Sequence, residues 1–199
     1  MTAMQKAIPS SPMAKEWKTS AGVHGQTNFK VSHPADWELY VLPEAAIVAC
    51  QQDPNALVSF MWSTGTGSMD PSSLLSRTIR HNDIRDYEVI HAEPVRTMQM
   101  PDTVFRALEQ EARFTYRGER CHAQIIVQLT NAVSPFLLFW SGSIIWKQAP
   151  AYRWGQYNEV VSRIVESLRI EPAVPPDIPA KTGEEKPVEE PRGRGRGDS

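Results

Sequence analysis

Hydrophobic periodicity predicts an α+β fold, an α/β/α sandwich with a central, mainly antiparallel sheet of about six strands and helices on both faces. Three observations carry that expectation. First, a long hairpin alternates in period two. Its first arm sets Leu108, Ala112, Phe114 and Tyr116 against Glu109, Glu111, Arg113 and Thr115; its second carries Cys121, Ala123, Ile125, Val127 and Leu129 on one side. Second, Phe136-Leu137-Leu138-Phe139-Trp140 is apolar at successive positions, so this strand needs cover on both faces. Third, Tyr157, Val160, Val161, Ile164, Val165 and Leu168 recur three and four apart, the stripe of an amphipathic helix over 150–168.

The remaining elements follow in chain order. Residues 1–24 lack sustained periodicity and are expected to be a flexible N-terminal arm, ahead of a domain over 25–170. Asn28 to Ser32 and Trp37 to Val41 read as strands around a His33–Asp36 turn, and Ala45 to Gln51 and Ala56 to Ser63 as a pair around Asp53-Pro54-Asn55. Ser63–Ser68 is a loop, after which Asp70 and Pro71 supply the N-cap and first position of a helix that turns Leu74, Leu75, Thr78 and Ile79 inward and ends by Asp86. Tyr87 to Met98 is a strand that Pro94 bulges or confines to an edge. Arg117-Gly118-Glu119-Arg120 is the hairpin turn, and a second turn is expected at Asn131–Pro135. Beyond Ile170, prolines alternate with Glu, Lys and Gly, so 171–199 is expected to be a disordered Pro/Glu/Arg-Gly-rich tail.

Composition excludes several functions. A formal charge of −2 gives no general attraction to nucleic acid or anionic lipid. Three arginines in Arg192–Ser199, without interleaved aromatics and beside the acidic 184–190 stretch, are a solubilising tail rather than an RNA-binding or integrin-recognised segment. Cys121 to Trp146 is uncharged and long enough to span a bilayer, but its alternation and its polar Gln124, Gln128 and Asn131 mark two strands, so no membrane insertion is expected. Two cysteines in apolar strands and no secretory h-region favour a cytoplasmic protein.

The opening Asn28-Phe29-Lys30-Val31-Ser32-His33-Pro34-Ala35-Asp36-Trp37 and the closing Ile164-Val165-Glu166-Ser167-Leu168-Arg169-Ile170, with the element order between them, resemble the PsbP-like/DcrB-like superfamily. The resemblance covers roughly 26–170 and implies the same sandwich. Its members include photosystem-associated proteins, a Ran-binding nuclear transport factor and Eag-type chaperones of type VI secretion effectors. No catalytic residues are typical of the group, so none carries over, and a shared fold does not imply a shared function.

Chemistry-bearing residues give little. Cys121 and His122 are adjacent on a strand and point to opposite faces, so they form no thiol–imidazole pair. His24, His33, His81, His91 and His122 show no ligand spacing, and no metal or other cofactor is expected. Gly65-Thr66-Gly67-Ser68 lacks the lysine of a phosphate loop. What stands out is aromatic: Phe136, Phe139, Trp140, Trp146, Tyr152, Trp154 and Tyr157. The expected function is therefore a non-enzymatic protein-binding or adaptor domain using Phe139, Trp140, Trp146 and Trp154. A chaperone-like partner of a secreted effector is its sharpest form, and a homodimer is expected if the patch is open. The alternative is a small-ligand-binding protein or enzyme with a pocket near 65–70 and 81–91, using His81 or His91.

Overall fold

The computed structural model describes residues 16–24, 27–133 and 138–172. Most of the expected arm, Phe136, Leu137 and the tail beyond Pro172 lie outside the described residues.

The strands are β1 (Trp17–His24), β2 (Thr27–Pro34), β3 (Trp37–Val41), β4 (Ala45–Cys50), β5 (Leu57–Thr66), β6 (Arg85–Ala92), β7 (Arg96–Met100), β8 (Thr103–Tyr116), β9 (Glu119–Val133), β10 (Leu138–Pro150) and β11 (Arg169–Pro172). Two α-helices, α1 (Pro71–His81) and α2 (Trp154–Ser167), interrupt them. β1, β2 and β11 form a small sheet; the larger is eight-stranded, in the order β3-β4-β5-β10-β9-β8-β6 with β7 also on β8. Every pairing is antiparallel.

The expected α/β/α sandwich is overturned. The described residues are mainly strand, the sheet has eight strands rather than about six, and two short helices make no helical layers. The reason lies in the alternation. Leu74 and Leu75 of α1 sit over Leu108, Ala112 and Phe114 of β8 and Ile125, Val127 and Leu129 of β9, and with Trp140, Ile144 and Trp146 form one core on what we call the front face. Ala149 of β10, Val58 and Phe60 of β5 and Val48 of β4 point to the back face, where a second core collects Tyr157, Val160, Val161 and Ile164 of α2. Phe29 and Val31 of β2 complete that core, so much of the back cover is a sheet. Further along the back face Phe139 is 39% exposed and Met98 60% exposed, so the strand at 138–140 is not covered on both sides.

Other differences are local. Trp17–His24, expected within the arm, pairs along its length with β2. The strand expected over Tyr87–Met98 breaks around Pro94 into β6 and β7, where the prolyl ring removes a ladder donor. The Arg117-Gly118 turn stands as expected, with φ of 49° and 77°, the left-handed pair that a tight hairpin between twisted strands requires. No helix among the described residues is long and apolar enough to cross a membrane.

Two outcomes test this packing. Ile164, fully buried, faces the back core, so Ile164→Asp should unfold the domain by leaving a carboxylate without a partner, whereas Ile170→Asp, at a 54% exposed position, should shift stability by no more than about 0.5 kcal/mol. Urea unfolding followed by circular dichroism separates them. Asp70 accepts from the Ser73 N–H at 2.9 Å and from its hydroxyl at 2.6 Å, and these bonds hold its carboxyl below the usual range. A depressed folded-state value means stabilisation that is complete above about pH 4 and is lost as the pH falls through the folded value. Asp70→Ala should therefore cost ~1 kcal/mol at neutral pH and progressively less in acid.

Candidate functional site

α1 is short and covers only part of the front face. Its N-terminus is set by the Asp70 cap and by Pro71 at the start of the helix, and is tied to β9 where Asn131 Nδ2 donates to the Met69 carbonyl at 3.2 Å. Its height is set by Gly142 of β10. A Cβ there would stand 2.8 Å from Leu74 Cδ2 and 3.0 Å from Leu129 Cδ1, so only glycine lets the helix settle this close. Gly65 does the same for Trp140, whose indole lies 2.7 Å from where a Cβ would be.

Beside α1 the front face of β4 and β5 is left open as a trough of about 520 Å³. Its floor is Ile47, Ser59, Met61, Ile144 and Leu74. Arg77, Thr78, His81 and Asn82 form the α1 wall, and Leu42, Pro43 and Glu44 the opposite rim. A narrower extension of about 60 Å³ continues past Leu57 toward Ile84, Tyr116 and Trp146. From Ser63 to Leu57 the trough follows roughly 20 Å of strand.

A second, smaller cleft of about 210 Å³ lies near the far edge, lined by His91, Glu93, Glu109, Glu111, Gln124 and Lys147 among others. Its acids are already paired: Glu93 with His91 at 2.9 Å, Glu111 with His122 at 2.5 Å, and Glu109 with Arg96. Lys147 reaches Ser162 Oγ at 3.3 Å, and burial lowers its pKa below the usual lysine value. These pairs take up the three carboxylates that line the cleft.

The residues expected to bind a partner do not converge. Trp140 and Trp146 are core, 2% and 3% exposed, with Trp146 touching the narrow extension of the trough. Phe139 is exposed on the back face. Trp154 opens α2 and stacks flat on His122, centroids 4.4 Å apart and 6° from parallel, pinning the helix to β9. Nor is there a shared pocket for the alternative: His81 is on the front trough, His91 in the other cleft, and Gly65 under Trp140. The thiols are buried and free; burial raises Cys50 and pushes Cys121 up to about 12, which leaves both inert. Asp53, buried and raised by desolvation against the pull of Arg153, bonds that guanidinium at 2.9 Å and fastens the start of α2 to the β4–β5 turn.

Ile47, Met61 and Arg77 were the residues that sequence reasoning missed. Met61 alternates with Ser59 and Ser63, and Arg77 precedes His81 by one turn, but neither pattern says that α1 stops short of β4. Among groups of His, Cys, Asp and Glu in the described residues, none has the makings of a metal site.

No protein-family model matches the chain, and no curated protein matches it. Among solved structures, it is similar to the cyanobacterial PsbP (CyanoP) of Synechocystis sp. PCC 6803, at 12% identity and a TM-score of 0.43 over 84% of this chain and 99% of that one. It is also similar to LpqN of Mycobacterium tuberculosis, which is involved in cell envelope biogenesis, at 17% identity and a TM-score of 0.40 over 79% and 92% of the two chains.

Gly142 sets how far α1 stands above the sheet, so Gly142→Val should cost about 1–3 kcal/mol through overpacking against Leu74 and Leu129. Chemical denaturation measures the loss; a stability equal to that of the parent chain would show that the helix docks without this close approach.

Proposed function

We propose that the chain is a non-enzymatic protein-binding or adaptor domain that receives an amphipathic helix of a partner in the trough between α1 and β4–β5. The observation that supports it is the partly open apolar floor of Ile47 and Met61 over buried Ile144, flanked by polar walls. An apolar floor with a polar rim is the anatomy of a helix-in-groove site, where burial provides the affinity and the rim the orientation. Its roughly 20 Å of strand accommodates about four turns of helix at 1.5 Å per residue. An apolar helix of a secreted effector is one partner of this kind, in the chaperone-like version of the role. Phe139, Met98 and Met100 on the back face are apolar and exposed, but they lie on a sheet surface rather than in a groove.

Site-specific photo-crosslinking tests the proposal. A crosslinking residue in place of Met61 should trap a discrete protein adduct in native cells, and one in place of Gln128, which is exposed on β9, should not. Adding Arg80→Ala outside the trough should leave the adduct unchanged, and Ile47→Lys should remove it. Equal adducts from both crosslinking positions, or none from Met61, would sink the idea.

A further inference from the structure

We infer that the helix received by the trough is acidic along one flank, its carboxylates set against Arg77 and His81; this rests on the docking proposed above. Arg77 and His81 lie one turn apart on α1, and both line the trough. Both are exposed, and among the described residues neither has an ion pair or a side-chain hydrogen bond. Arg85, Arg96, Arg120 and Arg153 each hold a carboxylate, whereas other arginines such as Arg106 and Arg113 have none among the described residues. What sets Arg77 and His81 apart is their place: they are the basic side chains that line the trough.

A basic residue near the end of α1 complements the helix dipole, which accounts for His81 but not for Arg77 in the middle of the helix. A guanidinium and an imidazole one turn apart along a wall offer donors to carboxylates spaced three or four residues apart on an opposing helix. Glu44 stands on the opposite rim, so a helix lying in the trough meets positive charge on one flank and negative charge on the other. Such an arrangement fixes which way round the helix lies, and charge complementarity of this kind governs orientation and encounter rate more than total affinity.

The test uses the full chain and two synthetic helical peptides of about four turns. They share one Leu/Met stripe and differ only in carrying Glu or Lys along the flank. Calorimetric titration at low salt should show the Glu peptide binding about tenfold tighter, with the gap closing as sodium chloride is added. Arg77→Glu combined with His81→Glu, both at exposed positions, should reverse the order. Met61→Lys should weaken both peptides. Equal affinity for the two peptides, still lost with Met61→Lys, would overturn the charge assignment while leaving helix docking intact. Binding of neither peptide would overturn both proposals. Binding of sodium dodecanoate alone, sensitive to Met61→Lys, would identify the trough as an amphiphile site and likewise overturn the acidic-helix assignment.

Discussion

Everything in this structure hangs on β10. It is the one strand that bonds both β9 and β5, and its alternate side chains enter two separate cores. Trp140, Ile144 and Trp146 go forward to α1, while Ala149 goes back to α2 with Ile145 packed beside it. A slip of one residue in its register would exchange the two sets, putting indoles into the α2 core and Lys147 beneath α1. The pairing is therefore specified twice over, once from each face. Gly142 adds a third constraint, because it must face Leu74 for the helix to approach.

The trough is a consequence of the same arrangement. α1 is anchored over β8, β9 and Gly142, on one side of the sheet's midline, and eleven residues of helix do not reach β4. The front surface of β4 and β5 is thus left with apolar side chains and only partial cover. On the back, by contrast, α2 and the small sheet together seal β3, β4 and β5 around Trp37, Val48 and Phe60. One half of the molecule is closed on its back and accessible on its front. A binding function fits that asymmetry, since apolar surface is left open where a partner can cover it.

Much of the strand arrangement was legible in the residues, and the difference between what was and was not legible is physical. The β8–β9 hairpin was readable because its alternation is local and its turn carries the glycine that a left-handed pair needs. The α2 stripe was readable because Tyr157, Val160, Val161 and Ile164 recur with the helical period. Layering was not. Successive apolar residues at 136–140 suggested two covered faces, but Phe139 is in fact exposed, so the pattern reflects a rim as much as a core. Trp17–His24 had no apolar alternation strong enough to announce a strand; its order comes from pairing with β2. The trough was invisible for a similar reason. Met61 is unremarkable until Ile144 from β10 and Arg77 from α1 are set beside it by long-range pairing.

That long-range pairing has a cost in time. β5 closes onto β10 only after the whole of α1, β6, β7, β8 and β9 has been made, and β2 acquires β11 later still. During synthesis β3, β4 and β5 stand as a three-stranded meander whose β5 edge is unpaired and whose Val58 and Phe60 have no helix over them. Sheets assembled from distant segments form slowly, and an unsatisfied strand edge is the surface through which nascent chains associate with one another. The interval between the emergence of β5 and the arrival of β10 is thus the chain's most vulnerable stage, and the slow step in its biogenesis is the search of one strand for its place between two others.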